Sequence, residues 1–166
     1  IMVLSDEIYA ELTYGGRHVS VASLPGMKER TVVINGFSKA FAMTGWRIGY
    51  VCSPAEIDAA ILKIHQYTLL CAPTASQYAA LEALRDGFTD GFASTEEMRD
   101  EYDKRRRFMV GFFNGAGMPC FEPRGAFYLY PSTEKLADTG EEFANGLLRA
   151  EKVAVVPGDA FGCAGK

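Results

Sequence analysis

Short runs of consecutive apolar residues alternate along this chain with longer stretches whose apolar residues recur every three or four positions, which predicts an α/β fold. Residues 1–4 (IMVL), 31–35 (TVVIN) and 47–52 (RIGYVC) are the strand-like runs, and the first reads as a central parallel strand covered on both faces. Helical spacing predicts a helix from Ala55 to about Leu70, with Ile57, Ile61, Ile64 and Leu69 inward, Ser53 as its cap and Pro54 at its first position. A second runs from a Thr74 cap to about Arg85, with Tyr78, Leu81 and Leu84 inward. A third, long one enters at Thr95-Glu96-Glu97 and ends near Asn114, its apolar stripe being Tyr102, Phe108, Met109, Phe112 and Phe113. A fourth opens at Thr139 and reaches about Glu151. Further strands are expected around Phe121, over residues 125–130 and over residues 153–156. Residues 10–30 are rich in turn formers and read as a connection, with Tyr14 an exposed loop tyrosine.

Composition narrows the class. The chain has 166 residues, 48% hydrophobic and 23% charged, with a net charge of -4, so it can bury a core and nothing in its charge favours nucleic acid or an anionic membrane. Its one basic cluster, Arg105-Arg106-Arg107, lies near Asp100, Glu101 and Asp103 and reads as the solvated face of a helix. Cys52, Cys71, Cys120 and Cys163 form no CxxC pair, and His18 and His65 lie apart, so no metal framework is visible and free thiols in a reducing cytoplasm are expected. His65 reads as a satisfied histidine without a catalytic role.

The chemistry concentrates in residues 36–50, GFSKAFAMTGWRIGY. Lys39 lies among Phe37, Phe41, Met43 and Trp46; partial desolvation disfavours the ammonium form of such a lysine and makes its amine a nucleophile toward carbonyl compounds. Against this, a lysine can simply lay its stem on the core and hold its charge in water. Arg47 follows on the same segment, and a guanidinium with the Ser38 hydroxyl suits a phosphate. A carbonyl-accepting lysine beside a phosphate clamp suggests a phosphorylated aldehyde cofactor.

These residues resemble the lysine signature of the class I aminotransferases, pyridoxal-phosphate (PLP) enzymes of fold type I, and the wording FAMTGWRIGY looks most like a bacterial branch that includes aspartate and aromatic aminotransferases. The resemblance implies that Lys39 is the Schiff-base lysine and Arg47 a phosphate ligand, assisted by Ser38. It also gives meaning to Ser5-Asp6-Glu7-Ile8-Tyr9 at the end of the first strand. Asp6 matches the aspartate that pairs with the pyridine nitrogen of pyridoxal 5'-phosphate, and Tyr9 the tyrosine that bonds its phenolic oxygen. An anion beside the ring nitrogen keeps it protonated and makes the ring an electron sink. Many members of the family carry Ser or Thr where this chain has Gly36.

The implied fold is the C-terminal part of the large PLP-binding domain, a mostly parallel sheet with helices, over residues 1–94, followed by a small α+β domain, truncated, over residues 95–166. The implied activity is transamination between an amino acid and a 2-oxo acid, in the cytoplasm and in a homodimer, with no metal, nucleic acid or membrane partner. Other members of the same fold are C–S lyases and related eliminases, or aminotransferase-like ligand-sensing domains of transcription regulators; neither is excluded by the motifs. The family's glycine-containing phosphate loop, ring-stacking aromatic and asparagine, and its carboxylate-binding arginine, find no match here. The chain is therefore expected to be a piece of a longer enzyme, inactive by itself.

Overall fold

The computed structural model describes residues 1–162. Contacts divide them into two compact units: Ile1–Glu101 with Arg124–Ala126, and Tyr102–Pro123 with the residues from Phe127 on. The division falls inside a long helix.

The first unit is built on a sheet of three strands in sequence order, β1 (Val3–Asp6), β2 (Thr31–Gly36) and β3 (Gly49–Cys52). β1 and β2 run parallel with Asp6 opposite Ile34, and β3 returns antiparallel to β2 with Gly49 opposite Gly36. The β-branched runs thus form strands within two residues of where their pattern puts them. Helices α1 (Ala55–Thr68) and α2 (Thr74–Asp90) follow, and α3 (Ala93–Gly115) leads out of the unit. α4 (Gly140–Glu151) belongs to the second unit and opens as expected, the Thr139 hydroxyl accepting from the Glu142 amide at 3.0 Å.

Which face each helix buries differs from the expectation. On α2 the inward residues are Ser76, Ala80 and Gly87, with Ala79, Ala83 and Leu84 partly covered, while Tyr78 and Leu81 are exposed. A stripe of small residues lets the helix axis come close to the Phe37 and Met43 side chains beneath it. α1 has no fully buried residue: Ile57 and Ile61 are half-buried, as expected, while Ile64 and, just past the helix, Leu69 are exposed. On α3 Tyr102, Met109 and Phe113 are half-buried while Phe108 and Phe112 face solvent. The caps differ too. Pro54 and Pro73 hold the N-cap positions of α1 and α2 without a side-chain bond, and the Ser53 hydroxyl makes no hydrogen bond.

Residues 121, 125–130 and 153–156 do not become strands among the described residues; only isolated bridges form, Thr13 with Gly125 and Cys120 with Pro131. A strand exists by pairing, and among the described residues these segments find no continuous partner. Tyr14 is the reverse case. It is buried, its amide donating to the Arg124 carbonyl at 2.8 Å and its hydroxyl to the Ala126 carbonyl at 2.6 Å.

Arg106 is likewise no solvated cation. Its side chain is 12% exposed, and its guanidinium donates to Asp103, Glu122 and the Pro123 carbonyl. Burial pulls its pKa down, but the two carboxylates outweigh that and hold it above the ordinary arginine value. Arg107, paired with Asp103 at 2.7 Å, does keep its side chain in solvent. Cys52, Cys71 and Cys120 are free thiols; Cys163 lies outside the described residues. No helix among the described residues is long and apolar enough to cross a membrane.

Candidate active site

The parallel pairing of β1 with β2 brings two chain segments out at one edge of the sheet. Asp6 ends β1, Gly36 ends β2 two residues before Ser38, and β3 begins at that same edge because Gly49 pairs with Gly36. The lysine segment is therefore a loop whose two feet are neighbouring strand ends. Those feet touch closely: a Cβ on Gly36 would lie 2.8 Å from the Gly49 Cα and 3.0 Å from the Ile48 carbonyl oxygen. The backbone approach in this chain leaves no room for a Cβ at position 36, and glycine fits it without a shift of the neighbouring strand.

The loop is tied internally. The Phe37 carbonyl accepts the Phe41 and Met43 amides at 3.2 and 3.4 Å, and the Thr44 hydroxyl donates to the Ser38 carbonyl at 3.0 Å. Ala42 and Arg47 both adopt left-handed backbone with φ of 52°, a conformation that side chains disfavour and that surrounding bonds must hold. Two such bonds come from the helices. The buried Ser76 hydroxyl of α2 donates to the Trp46 carbonyl at 2.6 Å, and the buried Thr95 hydroxyl of α3 donates to the Ala40 carbonyl at 3.0 Å. From below, Phe37 and Met43 pack with Ala80 in the core.

On this frame Lys39 is half-buried, and its ammonium nitrogen stands 5.7 Å from the centre of the Tyr9 ring. Tyr9 is delivered by a turn just past β1, where the Ala10 amide donates to the Glu7 carbonyl at 2.9 Å. Asp6 is exposed, with Oδ1 accepting the Ile8 amide at 3.1 Å. Arg47 is exposed, its Nη1 donating to the Thr44 carbonyl at 2.9 Å, and Ser38 is half-buried. The structure brings the Lys39 nitrogen to 5.7 Å from the Tyr9 ring centre, and it places Asp6, Ser38 and Arg47 in the segments that leave the same strand ends.

One residue of this neighbourhood escaped the sequence reading. Glu7 is buried, and its Oε1 accepts from the Ser5 hydroxyl at 3.0 Å, the Ser20 hydroxyl at 2.8 Å and the Val21 amide at 3.3 Å, while Oε2 faces His18 Nε2 at 3.0 Å. Burial raises the pKa of its carboxyl, but the bonds from Ser20, His18 and Ser5 and the His18 charge bring it below the ordinary value. The available signal was a charged residue directly after a strand, at the position pointing away from Asp6. β1 itself is the edge strand of the described sheet with Leu4 exposed, not the central strand covered on both faces that was expected, because among the described residues only β2 pairs with it.

Comparison with known proteins gives the family and the fold. The model of the family described as aminotransferase class I and II matches residues 1–166. The YugH protein of Bacillus subtilis is 53% identical over the whole chain, and the aspartate aminotransferase of Pyrococcus abyssi 47%; the chain spans 42% of the length of each. Among solved structures, an aromatic aminotransferase from Pyrococcus horikoshii superposes with a TM-score of 0.92 at 46% identity, covering 99% of this chain and 44% of that one. The α/β fold is that of the fold-type-I aminotransferases. This chain belongs to the class I and II aminotransferase family.

Proposed function

We propose that the protein carrying these residues is a PLP-dependent aminotransferase that moves an amino group between an amino acid and a 2-oxo acid, with Lys39 as its catalytic residue. The observation that carries this reading is the half-buried Lys39 amine, 5.7 Å from the Tyr9 ring, on a loop whose feet lie beside the strand end bearing Asp6. The donor set fits the cofactor's own groups: an amine for its aldehyde carbon, a carboxylate for its ring nitrogen, a phenol for its phenolic oxygen, and Arg47 with Ser38 for its phosphate. When bound, the pyridoxal ring supplies the electron sink that makes the substrate's α-proton removable.

The residues then divide the work. With the cofactor bound, the Lys39 amine would be the base and acid that moves the proton at the substrate's α-carbon. Asp6 holds the ring nitrogen protonated. Arg47 and Ser38 fix the phosphate so that the Lys39 amine meets the same atoms in every turnover. Tyr9 sits over the amine and orients it. Residues 1–94 serve as part of the large cofactor-binding domain and residues 95–166 as part of the small one, in a cytoplasmic homodimer. The substrate follows neither from this loop nor from the relatives, whose names include both an aspartate and an aromatic aminotransferase.

Borohydride reduction of the complete protein with PLP, followed by peptide mapping, tests the reading. A reduced pyridoxyl group is expected on Lys39 and on no other lysine, with none in Lys39→Ala. Labelling elsewhere, or labelling that survives the substitution, overturns it. Turnover of an amino acid to pyruvate and ammonia, without a new amino acid formed from an added 2-oxo acid, would make the enzyme an eliminase.

A further inference from the structure

Strand β1 presents two consecutive carboxylates to different surroundings: Asp6 is exposed at the strand edge, and Glu7 is buried. Burying a carboxylate is expensive unless every oxygen is partnered, and a well-packed apolar residue would hold the strand end at lower cost. At position 7 all the partnering is present. Three donors converge on Oε1, and His18 faces Oε2.

Those partners lie on two separated pieces of chain. Ser5 is on β1 itself, while His18, Ser20 and Val21 belong to a connection eleven to fourteen residues downstream of Glu7. Ser20 in turn caps the short helical turn Val21–Ser23, its hydroxyl accepting the Ala22 amide at 3.3 Å. The carboxylate therefore bolts that connection to the strand end. The same residue's backbone organises the site side. Its amide donates to the Ile34 carbonyl of β2 at 2.8 Å, extending the ladder by one residue, and its carbonyl accepts the Ala10 amide that closes the turn bearing Tyr9.

We propose that Glu7, held by His18, is the positioning residue for the Asp6 and Tyr9 pair: it fixes the orientation in which these two meet the cofactor ring. This rests on the functional reading above. Glu7 touches neither the cofactor nor the substrate and acts only through its neighbours. Two further charged or titratable groups act on the same region, Tyr50 of β3 and Glu11; the Tyr50 hydroxyl is pushed up by burial and then by Cys52, Glu11 and Glu7.

Glu7→Ala and Glu7→Gln separate positioning from bulk stability. The glutamine amide oxygen can accept the three donors that Oε1 accepts, while the negative charge opposite His18 is gone. In the complete protein without cofactor, hydrogen exchange of the Ile8 and Ala10 amides is expected to quicken about tenfold in Glu7→Ala and less in Glu7→Gln, with core amides of β2 unchanged. PLP dissociation is expected to weaken by about tenfold in Glu7→Ala, and the pH midpoint of the bound cofactor's absorbance change should move in both variants. His18→Asn should reproduce the glutamine phenotype. A lowered melting temperature with exchange at Ile8 and Ala10, PLP affinity and absorbance midpoint all as in the wild type would overturn the proposal and leave Glu7 a structural residue. The two readings fail separately. A wild-type protein that yields no pyridoxyl-Lys39 defeats the functional assignment, whereas unaltered exchange at Ile8 and Ala10 in Glu7→Ala defeats the anchoring whatever the cofactor result.

Discussion

The lysine loop and helix α1 are made of similarly apolar sequence and meet opposite fates. In the loop, Phe37, Ala40 and Met43 are buried, the backbone is bonded from within, and two helices clamp it through Ser76 and Thr95. In α1, Leu62, Ile64 and Tyr67 point into solvent, Tyr67 at 86% exposure, and no residue is buried. Hydrophobicity alone thus does not decide burial; the presence of a complementary surface does. The loop has one in α2, where Ser76 bonds the Trp46 carbonyl and Ala80, with Ala79 and Ala83, packs against the cluster of Phe37 and Met43. Among the described residues α1 has only a partial one, which leaves Ile57 and Ile61 half-buried.

The strongest way to break this contrast is to empty the loop's core. Phe37→Ala removes a buried ring that packs with Met43 and Ala80 and lies 5.3 Å from the Phe41 ring. It should lower unfolding free energy by about 3–5 kcal/mol, read from denaturant melts, and release the loop from its feet. A loss under about 1 kcal/mol would show that the loop is held by its hydrogen bonds alone. Next in size is the close approach at the feet. Gly36→Ala places a Cβ against paired backbone that cannot move aside without opening the β2–β3 ladder, and is expected to cost about 1–3 kcal/mol. Gly45→Ala, where an added Cβ meets nothing within 4 Å, serves as its control and should be neutral or stabilising by about 0.5 kcal/mol.

What could be read from the sequence follows the same division. The three strands, the four helices and the edge that collects Asp6, Tyr9 and Lys39 were legible, because strand runs and helix periods are local and the parallel crossing places strand ends together. Helix faces were legible only in part: Ile57 and Ile61 of α1 and Tyr102, Met109 and Phe113 of α3 are half-buried as expected, while α2 turns inward a face that was not expected. Periodicity finds the large apolar residues on α2, yet the buried side is the stripe of small ones, chosen by the shape of what lies opposite. The strands expected around 121, 125–130 and 153–156 failed for a related reason: aromatic and β-branched residues permit a strand, but only a partner makes one. Glu7 and Tyr14 were missed because their partners, Ser20 and His18 for one and the Ala126 carbonyl for the other, are brought to them by tertiary folding. Gly36, which stood out in sequence only as a departure from the motif, sits where β2 and β3 of this chain approach too closely for a Cβ.

A subtler test uses protons. The folded-state pKa of Glu7 lies below its ordinary value of 4.5, so its ionised form is favoured by folding. The sign follows: this contribution is fully present above about pH 4.5, and it is lost as pH falls through the lowered folded value. Denaturant melts from pH 7 down to pH 3 should show the wild type losing more stability than Glu7→Gln, the two curves converging at the acid end. Parallel curves would mean that the carboxylate's bonds are no stronger than those of the amide.

The smallest effect is the one expected on α1, and it sharpens the contrast most. Leu62 is exposed, so Leu62→Ala in this chain removes little covered surface and should change stability by no more than about 0.5 kcal/mol. Leucine and alanine are both good helix formers, so the helix itself is hardly affected. The same exchange at a buried leucine costs about 2–5 kcal/mol, which leaves a wide gap between the two outcomes. A measured loss near the larger figure would mean that α1 lies against a surface in solution, and the difference between loop and helix would then be one of which partner each has rather than of whether it has one.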